Sequence, residues 1–243
     1  LEPEFLLLFI SLAFVAEILG TIGGFGSSLF FVPLAGFFFD FHSVLGITAL
    51  FHIISNLTKI GFFRKGIDKK LIFSVGIPSV LFVVPGAFLS KYFDTRLLEI
   101  TLSFFLIALA LLFLIRQNLI IKTNTFNEIS GGILSGFLAG LVGTGGSVRG
   151  ILLTAYRLPK EIFIATSAVI DIAIDSSRAV VYSLNGYVHW HDLYLLPLLL
   201  ISSLAGTWVG KIALGRIDEN KFRKIVLYLI LFTGIITLWK FLG

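Results

Sequence analysis

The chain has 243 residues, of which 57% are hydrophobic and only 14% charged, with a mean hydropathy of +1.00. No soluble domain of this length hides that much apolar surface, so the composition specifies a polytopic membrane protein. The net charge of +5 is then a topology signal and not a nucleic-acid footprint, and the absence of cysteine excludes disulfides, thiolate metal sites and thiol chemistry.

The first residues lack a basic n-region and a small-residue cleavage site, so no cleaved signal peptide is expected. Two apolar arms, Phe5–Ile22 and Phe25–Phe39, flank a glycine cluster, Gly20-Thr-Ile-Gly23-Gly-Phe-Gly26-Ser27. Single spans are predicted near Ser43–Phe63, Leu71–Tyr92 and Leu97–Ile115. A more polar connector, residues 116–128, separates this half from a second with the same plan. Arms Ile129–Val142 and Val148–Leu158 flank Gly140-Leu-Val-Gly143-Thr-Gly-Gly146-Ser147, and spans follow near Ile162–Ser183, Leu193–Leu214 and Phe222–Leu242.

The glycine spacing GxxGxxGS recurs 120 positions later, and so do Gly66 as Gly186, Gly86 as Gly206 and Lys91 as Lys211. Asn56 and Lys59 recur as Asp175 and Arg178 at an offset of 119. Internal duplication of this kind is a common way to build a transporter.

Orientation follows from Lys and Arg. With the loops around Gly66 and Arg216, the connector and the turn at Arg157 placed inside, thirteen of the nineteen cations lie on that side. Lys91, Arg96 and Lys240 lie on the other, while Lys59, Arg149 and Arg178 fall within apolar segments. The loop at Gly66 is then inside and its repeat partner at Gly186 outside, which makes the halves inverted. Parity requires each glycine-broken segment to enter and leave on one face. The second pair of arms reaches only about 21 and 17 Å against a core of about 30 Å. The expected fold is an all-α integral membrane protein of two inverted repeats, residues 1–115 and 129–243. Each is a glycine-broken re-entrant hairpin plus three transmembrane helices, with the glycine clusters meeting near the midplane.

Several polar groups stand where apolar ones are expected. At the hairpin tips, Gly23, Gly26, Ser27 and Ser28, with Gly143, Gly145, Gly146 and Ser147, leave backbone N–H groups at the starts of the second arms. Ser27, Ser28 and Ser147 are candidate caps. A helix start carries partial positive charge and unpaired donors, which suits an anion; the bland alternative is close helix packing. Arg149 follows the second cluster, where its guanidinium can fork onto an oxyanion, pair with Asp171 or Asp175, or snorkel. Asp171, Asp175 and Arg178 share one helix face, and His52, Asn56 and Lys59 repeat those spacings. The aspartates are candidates for coupling and the others for substrate contact. A plain Asp175–Arg178 ion pair and a snorkelling Lys59 are the structural alternatives. Glu17 stands alone in the first arm without a charged repeat partner. His189-Trp190-His191-Asp192 resembles a metal ligand set only faintly, and Ser27 lacks a convincingly placed base for hydrolysis.

The segments Gly20–Leu34 and Gly140–Leu153 resemble the duplicated motif of the sulfite exporter TauE/SafE family of membrane permeases. Leu158-Pro-Lys-Glu followed by Ala165-Thr-Ser, Ser177-Arg178 with Tyr182 and Gly186, and Phe222-Arg223 add to the likeness, which covers nearly the whole chain. The resemblance implies transport of sulfite, sulfonates or related organosulfur anions, usually across a bacterial cytoplasmic membrane. Leu153 stands opposite Pro33, and Arg149 opposite Leu29; the second departure favours an anion. The expectation is a secondary transporter for a small anion, in contact with the lipid bilayer, without cofactor, metal or nucleic acid. An anion channel is the rival and a membrane enzyme a distant third. The anion, the direction, the coupling ion and the oligomeric state stay open.

Overall fold

A computed structural model describes residues 3–63, 66–116 and 124–242. No strand occurs among them. The first half contributes α1 (Pro3–Gly23), α2 (Ser28–Ala35), α3 (Phe41–Phe62), α4 (Lys69–Leu89) and α5 (Thr95–Ile115). The second contributes α6 (Thr125–Val142), α7 (Gly146–Ala155), α8 (Lys160–Leu184), α9 (Leu195–Gly215) and α10 (Glu219–Leu242). Arg64, Lys65 and Lys122, which enter the cation count above, lie outside the described residues.

Short acceptor side chains fix where helices start, by taking the N–H groups that the first turn leaves unpaired. Asp40 accepts from His42 and Ser43 at 3.1 and 3.2 Å, Asp68 from Leu71 at 3.1 Å, and Asp94 from Arg96 at 2.9 Å. Asn124 accepts from Asn127 at 2.7 Å and starts α6 inside the stretch read as connector. That arm therefore has 18 residues and is longer than the sequence reading allowed. In α4 a π-helical turn spans Ile72–Gly76 just before Pro78, whose ring nitrogen has no hydrogen to give the ladder.

Among the described residues, five helices are long and apolar enough to cross a membrane: Pro3–Gly23, Phe41–Phe62, Lys69–Leu89, Leu195–Gly215 and Glu219–Trp239. The chain is a multi-pass membrane protein. At 25 residues α8 is longer still, but it carries Asp171, Asp175 and Arg178. All three are buried in the protein, away from lipid. The outer faces carry exposed apolar side chains such as Phe73, Leu81, Phe104 and Phe232.

Helix pairing follows the duplication. α1 packs on α9 and α6 on α4, which are the same pair with the halves exchanged; α3 packs on its own equivalent α8, and α5 on α10. The α4–α6 contact is backbone to backbone. A Cβ added at Gly132, Gly136 or Gly140 would come within 2.4, 2.1 and 2.2 Å of the carbonyl oxygens of Val75, Ser79 and Val83. At the other contact, a Cβ on Gly206 or Gly210 would meet the Cβ atoms of Glu17 and Thr21 at 2.8 and 2.7 Å. Both pairs run parallel. By contrast α3 and α8 run antiparallel: Gly46 lies against Tyr187, while Asn56, further along α3, bonds to Asp175, earlier in α8.

Candidate functional site

Each half has a helix that stops at the glycine cluster and a short helix that leaves it. After α1, Gly24 and Gly26 adopt φ of +74° and +96°; after α6, Gly143 adopts +78°. Residues with a side chain rarely take this left-handed region, so these glycines are what lets the chain turn in the protein interior. The fold-back is tight. A Cβ on Gly20 would lie 2.5 Å from Ser27 Cα, and one on Gly145 would lie 2.0 Å from the Ser135 carbonyl, whose hydroxyl in turn holds Gly145 O at 2.9 Å. The two tips touch: a Cβ on Gly146 would come 2.2 Å from Phe25 O. Gly23 sits against the Phe25 ring.

The serines behave differently from the expectation of caps. Ser27 is the N-cap residue of α2 but makes no capping bond; its hydroxyl donates to Glu17 Oε2 at 2.7 Å instead. Ser147 donates to Thr144 O at 2.9 Å, and the N-cap position of α7 is Gly145. A buried carboxylate is a stronger acceptor than solvent, and it draws Ser27 away from the helix end. The backbone N–H groups at the tips therefore have no serine caps.

Beside the tips lies a small cavity lined by Gly26, Ser28, His52, Gly143, Gly145 and Gly146, together with Asp171, Asp175 and Arg178. It leaves about 10 Å³ for the centre of a water-sized sphere, room for about one water. Arg178 lines it and Arg149 lies next to it, bonded to the lining Asp171; both arginines are buried. Arg149 Nη2 meets Asp171 Oδ2 at 2.5 Å and its Nε donates to Ser167 at 3.2 Å. Arg178 Nη2 meets Asp175 Oδ1 at 2.8 Å, and its Nη1 donates to the carbonyl of Gly143 at 2.9 Å. Asn56 donates to Asp175 Oδ2 at 2.9 Å, and His52 Nδ1 lies 3.9 Å from the same oxygen. Among the described residues, Arg149 Nη1 and Arg178 Nε find no acceptor. A buried guanidinium donor without a partner is costly, and an oxyanion is the chemistry that would satisfy it.

Lys59 is placed elsewhere. Its ammonium turns away from the cavity to Glu17 Oε1 at 2.8 Å and Ser55 Oγ at 2.6 Å. Glu17 is fully buried and also accepts from Ser55 and from Thr207 Oγ1 at 2.9 Å. Ser27 links this cluster to the cavity, since its oxygen lies 3.2 Å from His52 Nε2. The structure thus brings His52, Asn56, Asp171, Asp175, Arg149 and Arg178 together with both tips. The Glu17 cluster, with Ser55 and Thr207, is the part that repeat spacing did not reveal, because the position 120 beyond Glu17 is Phe137. The signal available was simpler: a carboxylate in the middle of an apolar helix needs a buried partner.

Outside the spans, Asp40 has its carboxyl held below the usual range, chiefly by the Ser43 hydroxyl, with the N–H groups of Ser43 and His42 adding to it. No group of three or more His, Cys, Asp or Glu side chains among the described residues is arranged to hold a metal.

A family model described as sulfite exporter TauE/SafE matches residues 9–237. A probable membrane transporter protein of Methanocaldococcus jannaschii is 29% identical over 238 residues, covering 88% of this chain and 88% of its own. No solved structure matches.

Proposed function

The chain belongs to the sulfite exporter TauE/SafE family and is a membrane transporter; from that premise we propose that it carries a small oxyanion or organosulfur anion, such as sulfite or a sulfonate, through the cavity between the tips. The single observation that carries this reading is the pair of buried arginines with unpaired donors beside two glycine tips. The tips supply backbone N–H groups at the positive ends of α2 and α7, and the arginines supply directional donors of fixed charge.

With room for about one water, the cavity is closed around its own side chains. Asp171 occupies Arg149 and Asp175 occupies Arg178. An entering anion competes with these carboxylates for the guanidinium groups, so binding and rearrangement are one event. A carboxylate displaced by an anion is a buried charge without a partner, and taking up a proton removes that cost. Proton coupling through Asp171 or Asp175 follows from this exchange. The antiparallel packing of the equivalent helices α3 and α8 supports inverted repeats, and the glycine turns support re-entrant hairpins in the cytoplasmic membrane.

The test is flux in liposomes reconstituted with the purified protein, measured for sulfite, thiosulfate, sulfate and small sulfonates. At least one should move, in a ratio tied to protons. Anion flux that ignores a proton or sodium gradient would instead favour a channel, and no flux of any of them would remove the anion reading.

A further inference from the structure

The mechanism above leaves Glu17 unused, although it is fully buried and receives five polar contacts. We propose that Glu17 is the proton-holding group of the transport cycle, loaded from Asp175 through His52 and Ser27; this rests on the reading of the central cavity as an anion site.

The hydrogen-bond directions support it. Ser27 has one hydrogen, and it points to Glu17 Oε2 at 2.7 Å. The 3.2 Å contact between Ser27 Oγ and His52 Nε2 must then use the histidine's hydrogen. That assigns the neutral ring its hydrogen at Nε2 and leaves Nδ1 as a free acceptor, facing Asp175 Oδ2 at 3.9 Å. The two hydrogen bonds are set to pass a proton one way, and the first link needs His52 and Asp175 to close from 3.9 Å to hydrogen-bond distance. The O–H bond of a protonated Asp175 breaks as Nδ1–H forms. Nε2–H breaks as a bond to Ser27 Oγ forms, and the original Ser27 O–H breaks as Glu17 gains its proton. One proton moves from Asp175 to Glu17, and no electron is transferred. The histidine ends as the other neutral tautomer, and turning the ring over resets it.

Charge balance gives the relay a purpose. The buried central groups are Arg149, Arg178 and Lys59 against Asp171, Asp175 and Glu17, which is neutral with His52 uncharged. A monovalent anion in the cavity makes the set negative in a low-dielectric surrounding, and one proton restores it. Passing that proton on to Glu17 moves it behind the tip and leaves Asp175 ionised to return to Arg178 when the anion leaves. Every group facing Glu17 donates to it, so its protonation weakens the Lys59 pair and leaves that ammonium as the charge that balances the anion. From α3 come Lys59 and Ser55, with His52 reached through Ser27; α9 offers the hydroxyl of Thr207. One turn beyond, Lys211 directs its ammonium to the carbonyl of Phe62.

Glu17→Gln imitates the protonated state and does not line the cavity. In liposomes loaded with an oxyanion that the wild type moves, this variant should exchange labelled for unlabelled anion within about twofold of the wild-type rate. It should lose at least tenfold of the accumulation driven by a pH gradient, and Glu17→Asp should recover part of it. Should the glutamine variant fail to reconstitute, Ser27→Ala carries the test. It cuts the link and keeps every carboxylate, so the ratio of pH-driven accumulation to its own exchange rate should fall at least tenfold. Gradient-driven accumulation that matches the wild type in either variant overturns the relay while leaving the transporter intact. So does a wild type that moves the anion without response to pH. A wild type that moves no oxyanion takes down the anion reading and the relay with it.

Discussion

The two halves of the site share a backbone plan but not their chemistry. Arg149 stands where the first half has Leu29, and Asp171, Asp175 and Arg178 stand where it has His52, Asn56 and Lys59. Glu17, for its part, has Phe137 as its counterpart at an offset of 120. The second half therefore supplies both arginines beside the cavity with their aspartates, while the first supplies an amide and an imidazole there and sets its own ion pair, Lys59–Glu17, behind the tip. What the two halves share is geometry, namely left-handed turns and helices in close contact. The charges differ between the halves: both Arg–Asp pairs beside the cavity come from the second.

The sharpest way to break this comparison is to exchange its extremes. Arg149→Ala strands Asp171 in the interior, and removing one partner of a buried pair costs about 3–5 kcal/mol. Thermal unfolding in detergent should show that loss, and anion binding should weaken by tens to thousands of fold. Arg149→Lys should recover part of it, because a single ammonium cannot fork onto two oxygens. The equivalent change Leu29→Ala removes only apolar packing, about 2–5 kcal/mol for a buried leucine, and should leave affinity within about threefold. Equal loss of affinity in both would mean that the halves contribute alike.

A second comparison concerns the tips. Gly146→Val puts a branched side chain where even a Cβ would lie 2.2 Å from Phe25 O, so the tips must separate. Binding should be abolished, with stability reduced less than in Arg149→Ala. At Gly186 nothing lies within 4 Å of an added Cβ and φ is +80°. Gly186→Ala should therefore cost only the backbone strain of a left-handed residue, roughly 1–2 kcal/mol. It should not alter binding in the same titration.

Much of this was legible in the sequence. The glycine clusters, the spans and the polar faces of α3 and α8 all follow from spacing, because one helix face or one turn specifies them. What spacing missed depends on tertiary neighbours. Thr207 and Ser55 are ordinary residues until α9 and α3 bring them to Glu17. Ser27 abandons its capping place for the same carboxylate. The start of α6 was misplaced because Asn124, a good cap, lay in a stretch that read only as polar linker.

Topology offers a third test. Lys91 and Lys211 are equivalent by offset and both exposed. In a chain without native cysteine, Lys91→Cys should react with an impermeant reagent on intact cells and Lys211→Cys should not. Equal labelling would contradict inverted repeats.

The smallest effect concerns the starts of α3 and α8, where Asp40 caps one helix and Pro159 precedes the other. Asp40→Ala should cost about 1 kcal/mol. Since its folded pKa is lowered, the aspartate's contribution is present above its unfolded pKa and disappears as pH falls through the folded value. The stability difference between wild type and Asp40→Ala should accordingly shrink under acid, and a difference that grows would contradict the cap.

The central claim, that the cavity between the tips binds a small oxyanion through the second-half arginines, is tested most directly by calorimetric titration. Purified wild type and Arg149→Lys would be titrated with sulfite, thiosulfate, sulfate and small sulfonates. The account predicts saturable binding of at least one of these by the wild type, weakened at least tenfold in the lysine variant. Binding of equal strength in both proteins, or none to the wild type, would contradict it.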